Sequence, residues 1–198
     1  MRGYGLQGGS SINDAQIATQ HVPNNPRERQ IMTETPQQYT QRILSYSEGG
    51  DALQLLESAP QKLASLLAGK SKDQISRRPA PDKWSPVEIA AHLSDTEIAV
   101  AWRVRQILGT NGIPVQAFDQ DAWAKTFDYA HRDPNVSIEL FRVLRAANVA
   151  LLKSVPKKLW DNYGVHQERG NESITHMSRL MAGHDLNHLR QIEAALAV

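Results

Sequence analysis

Near the end of the chain, in the stretch GHDLNHLRQIEAAL, His184 and His188 stand four residues apart. At about 100° per residue of helix they fall roughly 40° from one another. Met177, Leu180, Met181, Ile192 and Ala195 fall around them, so both imidazoles lie in the middle of an apolar stripe. A buried imidazole must satisfy two ring nitrogens or cost on the order of a kcal/mol or more. One divalent ion satisfies a nitrogen of each ring at once, and the i, i+4 spacing brings both within reach of it. The alternative for each is a hydrogen-bonded core histidine.

His92, in KWSPVEIAAHLSDTE, is the natural third ligand. It falls roughly 80° from the centre of its helix's apolar stripe, beside Thr96 and Arg103. Spacing alone leaves open whether it reaches an ion or is a boundary histidine without one. Three neutral imidazoles suit zinc, nickel or another late first-row divalent ion. They also leave a coordination position free, as in catalytic rather than structural sites. Such an ion would acidify a bound water or hold a thiolate.

The motif is not that of a His-Glu-x-x-His peptidase. Asp185 stands where the glutamate would be, one methylene short and about 100° from His184. It reads as a surface residue or one that orients a ligand. Asp95 and Glu97 could orient a histidine or act as a base, although a solvated helix face is the simpler reading. His166 and Glu168, in GVHQERG, could rim the site from a loop, or belong to a merely polar loop. Arg103, Arg105 and Arg190 could each bind an anion, and each has an ordinary surface reading. His21, His131 and His176 carry no chemistry here, and Trp84, Trp102, Trp123 and Trp160 read as packing anchors.

The elements that must position these groups are helical. Thr35-Pro36 opens a helix by cap and proline, and Gly49-Gly50 stops it. Pro60 is expected to open a helix ending at Gly69, with Ser58 near its cap. Ser85, Pro86 and Glu88 form a capping box for a helix lined by Ile89, Leu93, Val100, Val104 and Ile107. A short helix is expected around Gln120 to Lys125. Asp133-Pro134 starts another long helix with a stripe of Val136, Leu140, Val143, Leu144, Ala147 and Leu151. The last runs from about Glu172 to the C-terminus. YGVH is the only β-like stretch and is too short to matter. The fold expected is all-α: four long helices, short extra ones, and connections long enough for crossovers.

Residues 1–31 are rich in Gly, Ser, Asn, Gln and Pro without amphipathic period, and read as a flexible extension. Met32 looks like a second possible start, so the domain expected is 32–198. The 198 residues, 40% hydrophobic and 22% charged, can build a core without disulfide staples. With no cysteine, thiolate metal sites and cysteine nucleophiles are excluded. A net charge of +1 without charge runs gives no footprint for nucleic acid or an anionic membrane. No stretch approaches a membrane span or a secretory signal, so a cytoplasmic location is expected.

The segments KWSPVEIAAHLSDTE, FDQDAWA, GVHQERG and AGHDLNHLRQIEA, in that order and spacing, resemble the DinB-like superfamily of metal-binding four-helix bundles. The likeness covers roughly Tyr39 to Val198. It implies a bundle with one or two long crossovers and a metal held by His92, His184 and His188. It also implies a homodimer, and a small-molecule substrate. Characterised relatives include thiol transferases and an isomerase that use low-molecular-weight thiols such as bacillithiol or mycothiol. The reading that follows is a metal-dependent enzyme of the thiol-transferase type, with a low-molecular-weight thiol as co-substrate. A metal-dependent hydrolase, with Asp95 or Glu168 as its base, is the first alternative. A non-enzymatic stress-related bundle stabilised by its metal is the second.

Overall fold

The computed structural model describes residues 34–197; the expected extension over 1–31 lies outside them. Seven α-helices follow in order: α1 (Pro36–Tyr46), α2 (Ala52–Leu67), α3 (Lys72–Ser76), α4 (Pro86–Gly109), α5 (Gln120–Thr126), α6 (Pro134–Ser154) and α7 (Ile174–Leu196). Strands β1 (Ile113–Val115), β2 (Tyr163–His166) and β3 (Gly170–Ser173) interrupt them.

Caps set the helix starts. Thr35 and Gln38 close a capping box at α1, and Ser85 and Glu88 do so at α4, each with proline in the first turn. Asp133 and Pro134 open α6. The second helix differs from expectation. It starts at Ala52, capped by Asp51, and runs straight through Pro60. A proline inside a helix leaves the carbonyl four residues earlier without its donor. Here that carbonyl belongs to Leu56, and it accepts a hydrogen bond from Arg145 Nη1 of α6 at 3.0 Å.

The long helices α2, α4, α6 and α7 form the bundle. α4 packs on α6 and α7, and α2 packs on the same two. The order around the bundle is therefore α2, α6, α4, α7. The consecutive pairs α2, α4 and α6, α7 face each other across it, and their connections are the crossovers. α1 lies along α7. The approach is close: a Cβ on Gly183 would stand 2.0 Å from the Ile43 carbonyl oxygen, so only glycine fits just before His184.

YGVH is not negligible. It is β2, the central strand of a small sheet, parallel to β1 and antiparallel to β3. Glu172 consequently sits in β3, and α7 begins two residues later, capped by Ser173. The sheet forms because the α4–α6 connection, which carries β1, runs beside the α6–α7 crossover, which carries β2 and β3, a pairing of distant segments that local periodicity does not encode.

Two large apolar clusters, with a smaller one of Leu56, Val149 and Ala182, fill the bundle. One holds Leu63, Ile89, Leu93, Phe141, Leu189 and Ile192. The other, next to the sheet, holds Val104, Ile107, Val115, Leu152, Ile174 and Met177. On α4, α6 and α7 the polar residues Glu97, Arg145, Asn148, His184 and Asp185 fall between these two clusters and are buried. That polar layer turns α6 by about one residue from the expected stripe. Ser137, Phe141, Arg145, Asn148, Val149 and Leu152 face inward, while Val136 and Val143 are 64% and 48% exposed. Among the described residues no helix is long and apolar enough to cross a membrane.

Candidate metal centre

The structure brings His92 of α4 together with His184 and His188 of α7, on adjacent helices of the bundle. All three are buried, at 2%, 8% and 7% exposure. The Nε2 atoms face one another: His92 to His184 is 3.1 Å, and His188 to His184 is 3.2 Å. His188 Nδ1 is 2.8 Å from Gln191 Oε1. The amide oxygen can only accept, so Nδ1 carries the ring proton and the Nε2 lone pair points at the other two histidines. Burial, then the neighbouring imidazoles, drives His92 well below the ordinary histidine range. Burial, then His184, pushes His188 down to about 3. Both rings are thus neutral at pH 7, as metal ligands must be.

The donor set fits a divalent transition ion. Metal–nitrogen bonds of 2.0–2.1 Å place neighbouring ligand nitrogens roughly 2.9–3.4 Å apart, from octahedral to tetrahedral geometry. The observed separations fall inside that span. His184 Nδ1, the one buried histidine nitrogen without a hydrogen-bond partner among the described residues, stands 3.8 Å from Asp185 Oδ1. Trp84 does more than pack: its ring lies 4.8 Å from that of His92 and stacks near-parallel to His188 at 6.3 Å, covering one side of the cluster.

The carboxylates take a different place from the one expected. The first half of α4 is buried all round, because α3, α6, α7 and the 3-10 turn at Tyr129–His131 pack on it. Asp95 and Glu97 are therefore not on a solvated face. Asp95 accepts hydrogen bonds from the Tyr129 hydroxyl and from Arg132 Nη1, both at 2.9 Å. Glu97 accepts from Arg145 Nη2 and Asn148 Nδ2, both at 2.7 Å. Asp185 is paired with the same Arg145 guanidinium. Burial alone would raise the Asp185 pKa, but Arg145 beside it holds it below the ordinary value. Each of these acids is occupied in an ion pair, Asp95 with Arg132 and the other two with Arg145.

A cleft of about 440 Å³ opens beside His92 and His184. Thr96, Arg103, His166 and Glu168 line it as well, and Tyr39, Phe118, Leu180 and Met181 supply apolar walls. Glu168 is at its exposed rim. His166 is not in a polar loop but on β2, and is buried. Its Nδ1 accepts from the Glu168 backbone N–H at 3.2 Å. Burial, then Arg169, lowers its pKa. Of the three arginines, Arg103 lines the cleft, Arg105 donates to Asn148 at 2.7 Å, and Arg190 lies over the Tyr46 ring. Sequence reasoning missed Arg145, Gln191 and Tyr129 altogether. Gln191 carried a signal, three residues beyond His188 on the same helical turn. Arg145 carried one only in hindsight, as a charge set among apolar neighbours.

Comparison with known proteins adds the lineage. A protein of Oceanobacillus iheyensis named "Putative metal-dependent hydrolase" is 23% identical over 145 residues, spanning 73% of this chain and 83% of its own. One of the same name from Bacillus licheniformis is 24% identical, over 70% of this chain and 80% of its own. The solved structure of YfiT from Bacillus subtilis, a "probable metal-dependent hydrolase with an unusual four-helix bundle topology", superposes with a TM-score of 0.69 at 20% identity. It covers 81% of this chain and 87% of that one, and shows the shared fold. The DinB superfamily model matches residues 55–192, from within α2 to the last turns of α7, and the chain belongs to that superfamily.

Proposed function

We propose that the protein is a metal-dependent hydrolase whose ion is held by His92, His184 and His188. The carrying observation is the convergence of three buried Nε2 atoms, 3.1 and 3.2 Å apart, at the side of a cleft. The names of the relatives from Oceanobacillus and Bacillus support the hydrolytic reading. Bound there, zinc or nickel would supply Lewis acidity, lowering the pKa of a water and polarising a carbonyl.

The chain's own residues do the rest. Gln191 fixes the tautomer of His188. Trp84 covers the His92 and His188 rings and shields that side of the cluster from water. Asp185, held by Arg145, keeps a negative charge near His184 without competing for the ion. The cleft walls orient the substrate. Transfer to a low-molecular-weight thiol is a second reading of the same site. It is favoured by the engagement of Asp95, Glu97 and Asp185 in ion pairs, since a thiol needs less help from a base than water does.

Metal analysis and calorimetry test the first step. The full chain should take up one equivalent of zinc or nickel, and His188→Ala should weaken uptake by about 100-fold or more, beyond what loss of a supporting contact costs. A chain that stays metal-free after incubation with both ions sinks the proposal. Ester and amide panels run with and without added thiol separate the two chemistries: turnover that needs no thiol marks the hydrolase.

A further inference from the structure

Among the described residues two arginines are buried, Arg145 more deeply than Arg103, and their surroundings differ. Arg145 is flanked by two carboxylates, Glu97 and Asp185. Arg103, at 8% exposure, has no carboxylate within ion-pair distance among the described residues. Its Nη2 donates to the Gln116 carbonyl, and the Phe118 ring lies 5.4 Å from its guanidinium carbon. The carboxylate that could have served it, Glu172, is taken by Arg169 in a two-pronged bond of 2.7 and 2.9 Å. Arg103 keeps its charge regardless, because guanidinium does not deprotonate in proteins. A buried charge left unpaired is costly unless a ligand completes it. This one lines the cleft that also contains His92 and His184.

We propose that Arg103 binds the carboxylate of the substrate, so that the cleft takes singly charged, apolar-bodied carboxylic acids and sets their labile bond toward the three histidines. The inference rests on the reading of that histidine cluster as the reaction centre. Three observations give the ligand class. The remaining Arg103 N–H groups form a planar fork suited to a planar carboxylate. His166 lines the same cleft and offers a second donor: its Nδ1 is used as an acceptor, so the neutral ring carries its proton on Nε2. Tyr39, Leu180 and Met181 give the body of the ligand an apolar wall. The charge is limited to one because Arg169, the other arginine of the lining, is bonded to Glu172, while Asp119, Asp121 and Glu168 also line the cleft and oppose a phosphate dianion.

Calorimetry with 4-phenylbutyrate, its neutral amide and 4-phenylbutyl phosphate tests this on the full chain, metal-free and zinc-loaded. The expected result is binding of the carboxylate in both forms, at least tenfold weaker binding of the amide, and weaker binding of the phosphate. Arg103→Gln should lose tenfold or more for the carboxylate while zinc uptake stays unchanged. Arg103→Lys should lose several-fold, and it decides the matter if the glutamine variant does not fold. Equal binding of acid and amide, preference for the phosphate, or a lysine variant that binds like the wild type would each overturn the proposal. Absence of zinc uptake with carboxylate binding intact would instead sink the metal reading and leave Arg103's role standing.

Discussion

Gln191 acts on the histidine cluster at one remove. Its amide oxygen holds His188 Nδ1 at 2.8 Å, which points the lone pair of Nε2 inward. Supporting contacts of this kind are worth roughly 10- to 100-fold in metal affinity. Gln191→Ala should therefore weaken zinc binding by about tenfold in calorimetric titration while leaving the helical circular dichroism spectrum intact. An unchanged affinity would remove Gln191 from the site. The histidines themselves were legible in the sequence because i, i+4 spacing on an apolar face is a local signal. Arg103 was half legible: it shares a helical face with His92 and Thr96, yet its burial depends on the sheet and on Phe118, far along the chain. Asp95 and Glu97 misled for the same reason, since their partners Tyr129, Arg132 and Arg145 come from elements that periodicity does not bring together.

At the scale of elements, caps carried the most information. Ser85, Pro86 and Glu88 set the start of α4, and hence the depth at which His92 enters the bundle. The Glu88 carboxylate also receives Arg78 Nε at 2.9 Å and the Ser85 backbone N–H at 2.8 Å. Burial alone would raise its pKa, but Arg78 and Ser85 bring it below the ordinary 4.5. The sign follows from linkage. A carboxyl with a depressed folded pKa adds stability above about 4.5 that is lost as pH falls through the folded value. Glu88→Gln should thus cost about 1 kcal/mol at pH 7, and the gap from wild type should shrink below pH 4.5 in thermal melts. A gap that persists into acid would assign the effect to packing instead. Helix starts were readable because a cap and a proline sit next to each other in the chain. The strand YGVH was not, because its partners lie about 50 residues earlier and four residues later.

At the scale of the whole molecule, one guanidinium meets all four bundle helices. Arg145 belongs to α6, donates to Leu56 of α2, and pairs with Glu97 of α4 and Asp185 of α7. Replacing it by methionine leaves two buried carboxylates uncompensated, which typically costs 3–5 kcal/mol. Arg145→Met should lower the melting temperature sharply, and adding Glu97→Gln with Asp185→Asn should recover much of the loss. No recovery would show that the guanidinium acts by packing and not by charge. The bond to Leu56 exists because Pro60 cannot donate there, so a gap in the backbone ladder of α2 became the socket for the bundle's central cation. Its consequence concerns how the protein opens. α2 lines neither the cleft nor the histidine cluster, yet its joint at Leu56 is closed only while Arg145 is seated against Asp185, beside His184. Amide hydrogen exchange on either side of Leu56 therefore becomes a remote gauge of the reaction centre's integrity, readable without substrate or activity.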